Sequence, residues 1–309
     1  MAGERGEAAM TSDRPGGAAG RGFVLRRDIH PIDLPRGRAL SFEAAPLVMG
    51  VLNVTPDSFS DGGLHADASA AIEAALRMES EGADCIDVGG ESTRPGAEPI
   101  TSDEELERTI PVVEGIRSRS DVAISIDTTR ASVARRAIEA GADLVNDVSA
   151  LRFDPGMAEI VRTARVPLIL MHMRGEPRTM QKSVHYSDLM GEILAELRSW
   201  RDLAVGKGID ARRVLVDPGI GFGKSFDHNV EILARVSEIA EIAPVVIGAS
   251  RKAFIGHLTG RAAGPARAAG SLAAVAAAAL GGAAIVRVHD VWETSDFLRV
   301  LRPILKGGR

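Results

Sequence analysis

The chain has 309 residues, a length that suits one barrel-sized domain with extra pieces or two smaller domains. Its 37 basic and 42 acidic residues leave a formal net charge of −5, which argues against a surface that coats nucleic acid. Aromatic residues make up only 4% of the chain, so stacking platforms for single strands or sugars are not expected. The single cysteine, Cys85, cannot form an internal disulfide, which is compatible with a reducing cytoplasm.

The first 46 residues divide into two predicted parts. Residues 1–22 are rich in Gly, Ala, Arg and Glu and lack apolar periodicity, so a disordered tail is predicted. Residues 1–10 lack the apolar core expected of a signal peptide. Residues 23–46 contain short alternating pieces punctuated by Pro and Gly, which predict a small hairpin that caps the main domain. We therefore expect a single domain over residues 23–309, with the cap included.

One pattern repeats from Leu47 onward. Residues 81–88, 140–147 and 281–288 each end a helix with Gly, turn through Ala and enter a short apolar strand that polar residues finish. The first two copies are separated by the length of two βα units, each of about 30 residues. The apolar stretch before the third copy, residues 270–286, is interrupted by glycine, so a buried Ala-rich helix is predicted there and no membrane span.

The remaining apolar runs complete a set of eight strands that alternate with eight helices. Strands that are apolar without alternation are buried on both faces, as parallel strands are. This order predicts a (β/α)8 TIM barrel of the α/β class, with an open doubly wound sheet as the alternative. The strands are predicted near 47–52, 84–88, 122–127, 143–146, 166–172, 213–217, 244–249 and 284–288, and the helices near 66–82, 102–119, 130–140, 155–165, 187–207, 227–241, 267–281 and 291–306.

Polar side chains stand at the carboxyl end of each predicted strand, where barrels of this kind carry their chemistry. Asp127, Asn146 and Asp217 would supply two carboxylates and an amide around the barrel mouth. Such a set suits a flat heterocycle with adjacent NH and NH2 donors, such as a guanine-like edge. A structural cap or an ion pair explains any one of these residues, but polar termini at eight strands in a row favour a ligand site.

The first and last strands predict an anion site. Arg287 and His289 lie two residues apart on a strand, so their side chains point to one face, and Asn53 would be next to them in a closed barrel. This group suits pyrophosphate, although Arg287 and His289 could instead pair with carboxylates on neighbouring strands. Lys252 can donate to a carbonyl oxygen of a ligand. No carboxylate or histidine cluster has metal-ligand spacing, which leaves a magnesium ion carried mainly by phosphate oxygens.

The sequence supports two further structural predictions, one for the loop after the first strand and one for His172. Residues 55–63, after the first strand, are predicted to form a mobile lid. His172, which follows an apolar strand, is expected to be a packed structural histidine rather than a catalyst.

The strand-end motifs resemble those of the dihydropteroate synthases of the pterin-binding barrel superfamily. They cover nearly all of residues 47–306 in order, and the tail before Phe23 lies outside the resemblance. The matching segments are 49–63 (MGVLNVTPDSFSDGG), 87–96 (DVGGESTRPG), 125–128 (SIDT), 145–148 (VNDV), 170–173 (LMHM), 179–181 (TMQ), 217–224 (DPGIGFGK), 250–252 (SRK) and 287–291 (RVHDV).

The resemblance implies a transferase that joins 6-hydroxymethyl-7,8-dihydropterin pyrophosphate to 4-aminobenzoate and releases pyrophosphate. It implies that Asp127, Lys252, Arg287 and His289 are catalytic, and that Mg2+ binds at Asn53. Small-molecule substrates are thus the expected partners, in a cytoplasmic homodimer packed through late helices. By the same resemblance, the pterin site is Asp127, Asn146, Asp217 and Lys252; the pyrophosphate site is Asn53, Arg287 and His289; and the 4-aminobenzoate site, which sulfonamides also occupy, is Phe59, Thr93, Arg94, Pro95, Phe222 and Lys252.

Two alternatives remain open on the sequence. A methyltetrahydrofolate:corrinoid methyltransferase uses the same pterin-binding barrel, but the loops at 53–63 and 93–96 and the pair Arg287 and His289 favour release of pyrophosphate. The other alternative is a pterin-binding paralogue without synthase activity. One departure from the family is Ala253, where some members carry a serine that contacts the aminobenzoate carboxylate.

Overall fold

A computed structural model describes residues 29–55, 64–92, 98–175, 179–181 and 184–305. The predicted tail and residues 56–63 of the predicted lid lie outside the described residues.

Eight parallel strands form a nearly closed barrel, as predicted. The strands are β3 (Leu47–Asn53), β4 (Cys85–Gly89), β5 (Ala123–Asp127), β6 (Leu144–Asp147), β7 (Leu168–Met171), β8 (Val214–Asp217), β9 (Val246–Ile247) and β10 (Ile285–Val288). Their order around the sheet is β8-β7-β6-β5-β4-β3-β10-β9, and a parallel bridge between Val216 and Val245 joins the two edges. There, the Val216 N–H donates to the Pro244 carbonyl at 3.0 Å.

Helices connect successive strands and cover the outside of the barrel. The predicted helix 227–241 is divided at Arg235, whose backbone (φ −122°, ψ 23°) is not helical. A short helix after β9 was not predicted, because seven residues are too few to show a helical period. The helices are α1 (Leu64–Ser80), α2 (Ser102–Arg117), α3 (Ala131–Ala140), α4 (Met157–Ala164), α5 (Leu189–Gly206), α6 (Phe226–Ala234), α7 (Val236–Ile239), α8 (Ala253–Thr259), α9 (Ala268–Leu280) and α10 (Val291–Leu305).

The barrel interior is filled by alternate residues of each strand, because successive side chains of a strand point to opposite faces. The lower interior is apolar and is closed by an antiparallel hairpin, β1 (Ile32–Asp33) and β2 (Ala39–Leu40), which confirms the predicted cap. The same alternation, continued along each strand, brings polar residues to the carboxyl-terminal opening. The apolar interior positions are Leu47, Met49, Cys85, Ala123, Leu144, Ile169, Leu215, Val246 and Ile285.

The buried carboxylate of Asp143 ties the hairpin to the bottom of the barrel. Arg36 and Arg117 donate to it at 2.5 and 2.7 Å, and Arg38 also pairs with it. The Ile124 N–H donates to the same carboxylate at 2.9 Å. Asp143 is fully buried, so these donors replace the water that its charge would otherwise require.

Among the described helices, none is by itself long and apolar enough to cross a membrane. The segments Ala253–Thr259 and Gly264–Leu280 reach that length and hydropathy only when taken together, and they are bent by 67°.

Candidate active site

Four strand ends meet in a hydrogen-bonded cluster at the barrel mouth. Arg287 on β10 donates from Nε to Asp87 Oδ2 on β4 at 2.5 Å and from Nη2 to Asp127 Oδ2 on β5 at 2.8 Å. Asn146 on β6 donates from Nδ2 to the same Asp87 oxygen at 3.1 Å. Arg287 therefore forms ion pairs with carboxylates, as the sequence analysis allowed. Its guanidinium group links Asp87 and Asp127 across the barrel.

The charges in this cluster do not cancel. Burial, together with the neighbouring charge of Asp87, raises the pKa of Asp127 to about 7, although Arg287 opposes the shift. Burial also acts against the charge of Arg287, but the two carboxylates outweigh it and raise the pKa of the guanidinium. Asp87 Oδ1 and Ser125 Oγ, which face each other across β4 and β5, are buried without a hydrogen-bond partner among the described residues. These two oxygen atoms can therefore accept hydrogen bonds from a ligand.

Asp217 forms the opposite wall of the mouth. Its Oδ1 accepts a hydrogen bond from the Gly219 N–H at 2.7 Å, and burial raises the pKa of the carboxyl group. A Cβ at Gly248, directly after β9, would lie 3.7 Å from Asp217 Oδ2 and 4.0 Å from Arg287 Cβ. A second glycine, Gly89, lies between Asn53 and Asp127 in the strand register. The mouth is therefore lined by polar groups, with no side chain at these two glycine positions.

Lys252 and Phe222 lie together at the rim. Lys252 Nζ is 4.3 Å from the centroid of the Phe222 ring, which is a cation–π distance. Lys252 also lies beside Gly221, where a Cβ would be 3.3 Å from its Cδ. Two residues predicted for the 4-aminobenzoate site, one after β8 and one after β9, are thus in contact.

His289 follows β10 on the face already occupied by Arg287. Its Nδ1 is 3.1 Å from Ser250 Oγ, and its backbone N–H donates to the same hydroxyl oxygen at 3.2 Å. Burial, followed by the charge of Arg287, lowers the pKa of His289 to about 4, so the imidazole is neutral near pH 7. A neutral imidazole can donate one hydrogen bond to an anion from the ring nitrogen that carries the proton.

The structure assembles the predicted residues that it describes. Asn53, Asp127, Asn146, Asp217, Phe222, Lys252, Arg287 and His289 all stand at the carboxyl-terminal opening. Four members of the predicted 4-aminobenzoate site lie outside the described residues: Phe59, Thr93, Arg94 and Pro95.

Sequence reasoning gave no role to Asp87 and Lys224. Asp87 shares its strand face with Gly89, so strand alternation alone could have placed it in the mouth. Lys224 is almost fully buried, and burial lowers the pKa of its ammonium group to about 7. Its ammonium group contacts His172, which is also fully buried and hydrogen-bonded.

Comparison with known proteins identifies the family. A family model described as pterin binding enzyme matches residues 49–289. A dihydropteroate synthase of Synechocystis is 44% identical over 275 residues, which cover 88% of this chain and 95% of the relative. The Escherichia coli K12 dihydropteroate synthase is 45% identical over 262 residues, which cover 84% and 92%. The chain belongs to the dihydropteroate synthase family.

Solved dihydropteroate synthases share the architecture. The Xanthomonas albilineans enzyme with 4-aminobenzoic acid has a TM-score of 0.82 at 47% identity and covers 87% of this chain and 96% of its own. The same enzyme in complex with 7,8-dihydropteroate has a TM-score of 0.79 at 45% identity, with the same coverage. The Yersinia pestis enzyme in a sulfonamide complex has a TM-score of 0.83 at 43% identity and covers 91% and 99%. The predicted barrel and family are both confirmed.

Proposed function

We propose that this chain condenses 6-hydroxymethyl-7,8-dihydropterin pyrophosphate with 4-aminobenzoate to give 7,8-dihydropteroate and pyrophosphate, a step of folate biosynthesis. The observation that carries the proposal is the cluster of Asp127, Asn146, Asp217 and Arg287 at the mouth of a barrel of this family. Family members have been solved with 4-aminobenzoic acid and with 7,8-dihydropteroate, which supports the same substrate class here.

In this proposal the pterin ring lies at the carboxyl ends of β5, β6 and β8. Asp127 and Asp217 accept hydrogen bonds from the ring NH and NH2 groups, Asn146 supplies an amide, and Lys252 donates to the ring carbonyl. Gly89 and Gly248 place no side chain between these groups, where even a Cβ would already contact Asp127 or Asp217.

Asp127 has the central electrostatic role. Departure of pyrophosphate leaves positive charge on the pterin methylene group, and this charge is delocalised into the ring. An ionised carboxylate already fixed in a buried site stabilises that charge without reorganising solvent. The aromatic amine needs little activation, so its correct placement contributes much of the rate.

The leaving pyrophosphate is assigned to Asn53, Arg287 and His289. Arg287 can exchange carboxylate contacts for phosphate contacts, because its guanidinium group donates in two directions. His289 would donate a neutral hydrogen bond from its ring.

The donor chemistry of the site suits a magnesium ion held mainly by pyrophosphate oxygens. Mg2+ prefers oxygen ligands and usually retains waters beside substrate phosphates. The amide oxygen of Asn53, at the end of β3, is the one protein ligand in the proposal. Among the residues that the structure describes, no group of three or more His, Cys, Asp or Glu side chains could hold a metal ion. When bound, the ion would neutralise charge on the leaving group.

The 4-aminobenzoate pocket is proposed to contain Phe222 and Lys252, which touch at the rim, together with Phe59, Thr93, Arg94 and Pro95. Sulfonamides would occupy the same pocket, because a family member has been solved in a sulfonamide complex.

We further propose a cytoplasmic homodimer. Large apolar side chains are exposed on the last helix, with Trp292 59%, Val300 61% and Ile304 66% accessible, as expected for a face that packs against a second copy. Light scattering coupled to size-exclusion chromatography should give twice the chain mass of 32.5 kDa, and a monomer at micromolar concentration would contradict the dimer.

One assay tests the reaction. Pyrophosphate release is measured with the pterin pyrophosphate alone and after addition of 4-aminobenzoate, with dihydropteroate quantified in parallel. Equal amounts of the two products, dependent on 4-aminobenzoate, are expected. Binding without release would indicate a pterin-binding paralogue, and methyl transfer to a corrinoid without pyrophosphate release would indicate the methyltransferase.

A further inference from the structure

A nearly inaccessible lysine lies beneath the loop that carries Phe222. Lys224 is 2% exposed, although lysine is among the residues least often buried. Burying an ammonium group is costly unless each of its protons has an acceptor. The contacts of Lys224 therefore indicate what this lysine does.

The ammonium group donates to two carbonyl oxygens, and its third proton points to a ring nitrogen of His172, which accepts it in the tautomer protonated at Nε2. Lys224 Nζ lies 3.0 Å from His172 Nδ1, 3.2 Å from the His172 carbonyl oxygen and 3.0 Å from the Phe222 carbonyl oxygen. The two carbonyls belong to different segments, one following β7 and the other following β8. Lys224 thus joins two neighbouring rim segments at a point where water is excluded.

The backbones of these two segments are packed directly against each other. A Cβ at Gly219 would lie 2.0 Å from the His172 carbonyl oxygen, and a Cβ at Gly223 would lie 2.4 Å from the Arg174 carbonyl oxygen. Both glycines have positive φ, 67° and 64°, a conformation that side-chain-bearing residues rarely adopt. The glycines permit this close approach of the two backbones. The approach brings the His172 and Phe222 carbonyl groups together, and Lys224 donates to both.

The residue whose carbonyl Lys224 holds is also the residue that carries the rim aromatic ring. Phe222 donates from its N–H to the Gly219 carbonyl at 3.0 Å, and its ring lies below Lys252 at 4.3 Å. The ring packs against a small cluster that contains Met171 and Met173. With the backbone fixed at both its N–H and its carbonyl, the Phe222 ring has little freedom to shift.

We propose that Lys224 is a positioning residue for the arylamine pocket, because its ammonium group fixes the Phe222 carbonyl to the segment after β7 and so sets the Phe222 ring beneath Lys252. The inference rests on the proposed function, in which Phe222 and Lys252 contact 4-aminobenzoate. Lys224 itself touches no substrate, so its effect is on the arylamine and not on the pterin, which the strand ends hold.

The test is a comparison of steady-state constants in Lys224→Met, which keeps the length of the side chain and removes its donors. The KM for 4-aminobenzoate should rise at least about tenfold, and the KM for the pterin pyrophosphate should change less than about twofold. Arg117→Met is the matched control. Arg117 also donates to backbone carbonyls, those of Gly141, Ser120 and Val122, but at the opposite end of the barrel. Its loss should leave both KM values unchanged.

A double-mutant cycle separates positioning from general loosening. If Lys224 acts through the ring, Lys224→Met added to Phe222→Leu should raise the KM for 4-aminobenzoate no further than Phe222→Leu does alone. Lys224→Gln, which keeps N–H donors on a shorter side chain, is measured in parallel and replaces Lys224→Met if that variant does not fold. It should show a smaller rise in the same KM.

Three results would overturn the inference: an unchanged KM for 4-aminobenzoate, equal rises in both KM values, or additive effects in the cycle. Failure of the proposed function would look different, because the unmodified chain itself would then release no pyrophosphate.

Discussion

Replacing Asp127 with asparagine removes the charge that the proposed mechanism uses while keeping the shape of the side chain. Asp127 is bound to Arg287 Nη2 at 2.8 Å, and its pKa is raised to about 7. Asparagine keeps one acceptor oxygen for Arg287, and Arg287 also keeps its contact with Asp87. The barrel should therefore fold normally, with an unchanged circular dichroism spectrum.

The expected loss follows from the buried position of Asp127. Removing one preorganised electrostatic group from a water-excluded site typically lowers kcat by about 10²–10³, or about 2.7–4 kcal/mol of barrier. We expect Asp127→Asn to fall in this range, with little change in the KM for 4-aminobenzoate. Asp127→Ala, which also removes the hydrogen bond to Arg287, should be at least as slow.

The pH profile gives a second, independent readout. The ionised form of Asp127 is the active one, so activity should rise with pH through the raised pKa of about 7. The ionised fraction then increases from roughly one-tenth at pH 6 to roughly nine-tenths at pH 8. Pyrophosphate release measured from pH 5.5 to 8.5 should show this limb in the unmodified protein and not in Asp127→Asn. A variant with kcat within about twofold of the unmodified protein, or with the same limb, would refute the role.

Three other variants test separate parts of the structure. Gly248→Val should raise the KM for the pterin pyrophosphate by at least about tenfold, because the new methyl groups would enter the barrel mouth beside Asp217. An unchanged KM would mean that the pterin ring binds elsewhere. Asp143→Asn should lower the free energy of unfolding by about 1.5–3 kcal/mol in urea titration, because it removes the buried counter-charge of the partly exposed guanidinium groups of Arg36 and Arg117. The kcat at 25 °C should stay within about twofold, and a loss of stability under about 1 kcal/mol would mean that the cluster contributes little. Chelation of divalent cations should abolish activity, and added Mg2+ should restore it. Asn53→Ala should raise the Mg2+ concentration needed for half-maximal activity about tenfold. Full activity in excess chelator would show that the reaction does not need the metal ion.

Local sequence patterns were sufficient to predict most of the strands and helices and to identify the family. Apolar runs between glycine-ended helices located all eight barrel strands. Local patterns were insufficient at Arg235, where a predicted helix is divided, and after β9, where a seven-residue helix is too short to show a period.

The sequence alone determined which side chains would stand at the barrel mouth, because strand alternation and the position of each strand end are local properties of the chain. Only the tertiary structure decided which of them touch. Arg287 meets Asp127 and Asp87 across 160 and 200 residues of chain. These pairs exist because β10, the last strand, pairs with β3, the first strand of the barrel, and so lies near β4 and β5. Lys224 is a similar case: the motif showed a lysine after a glycine-rich loop, and only the packing of that loop against β7 buried its ammonium group beneath Phe222.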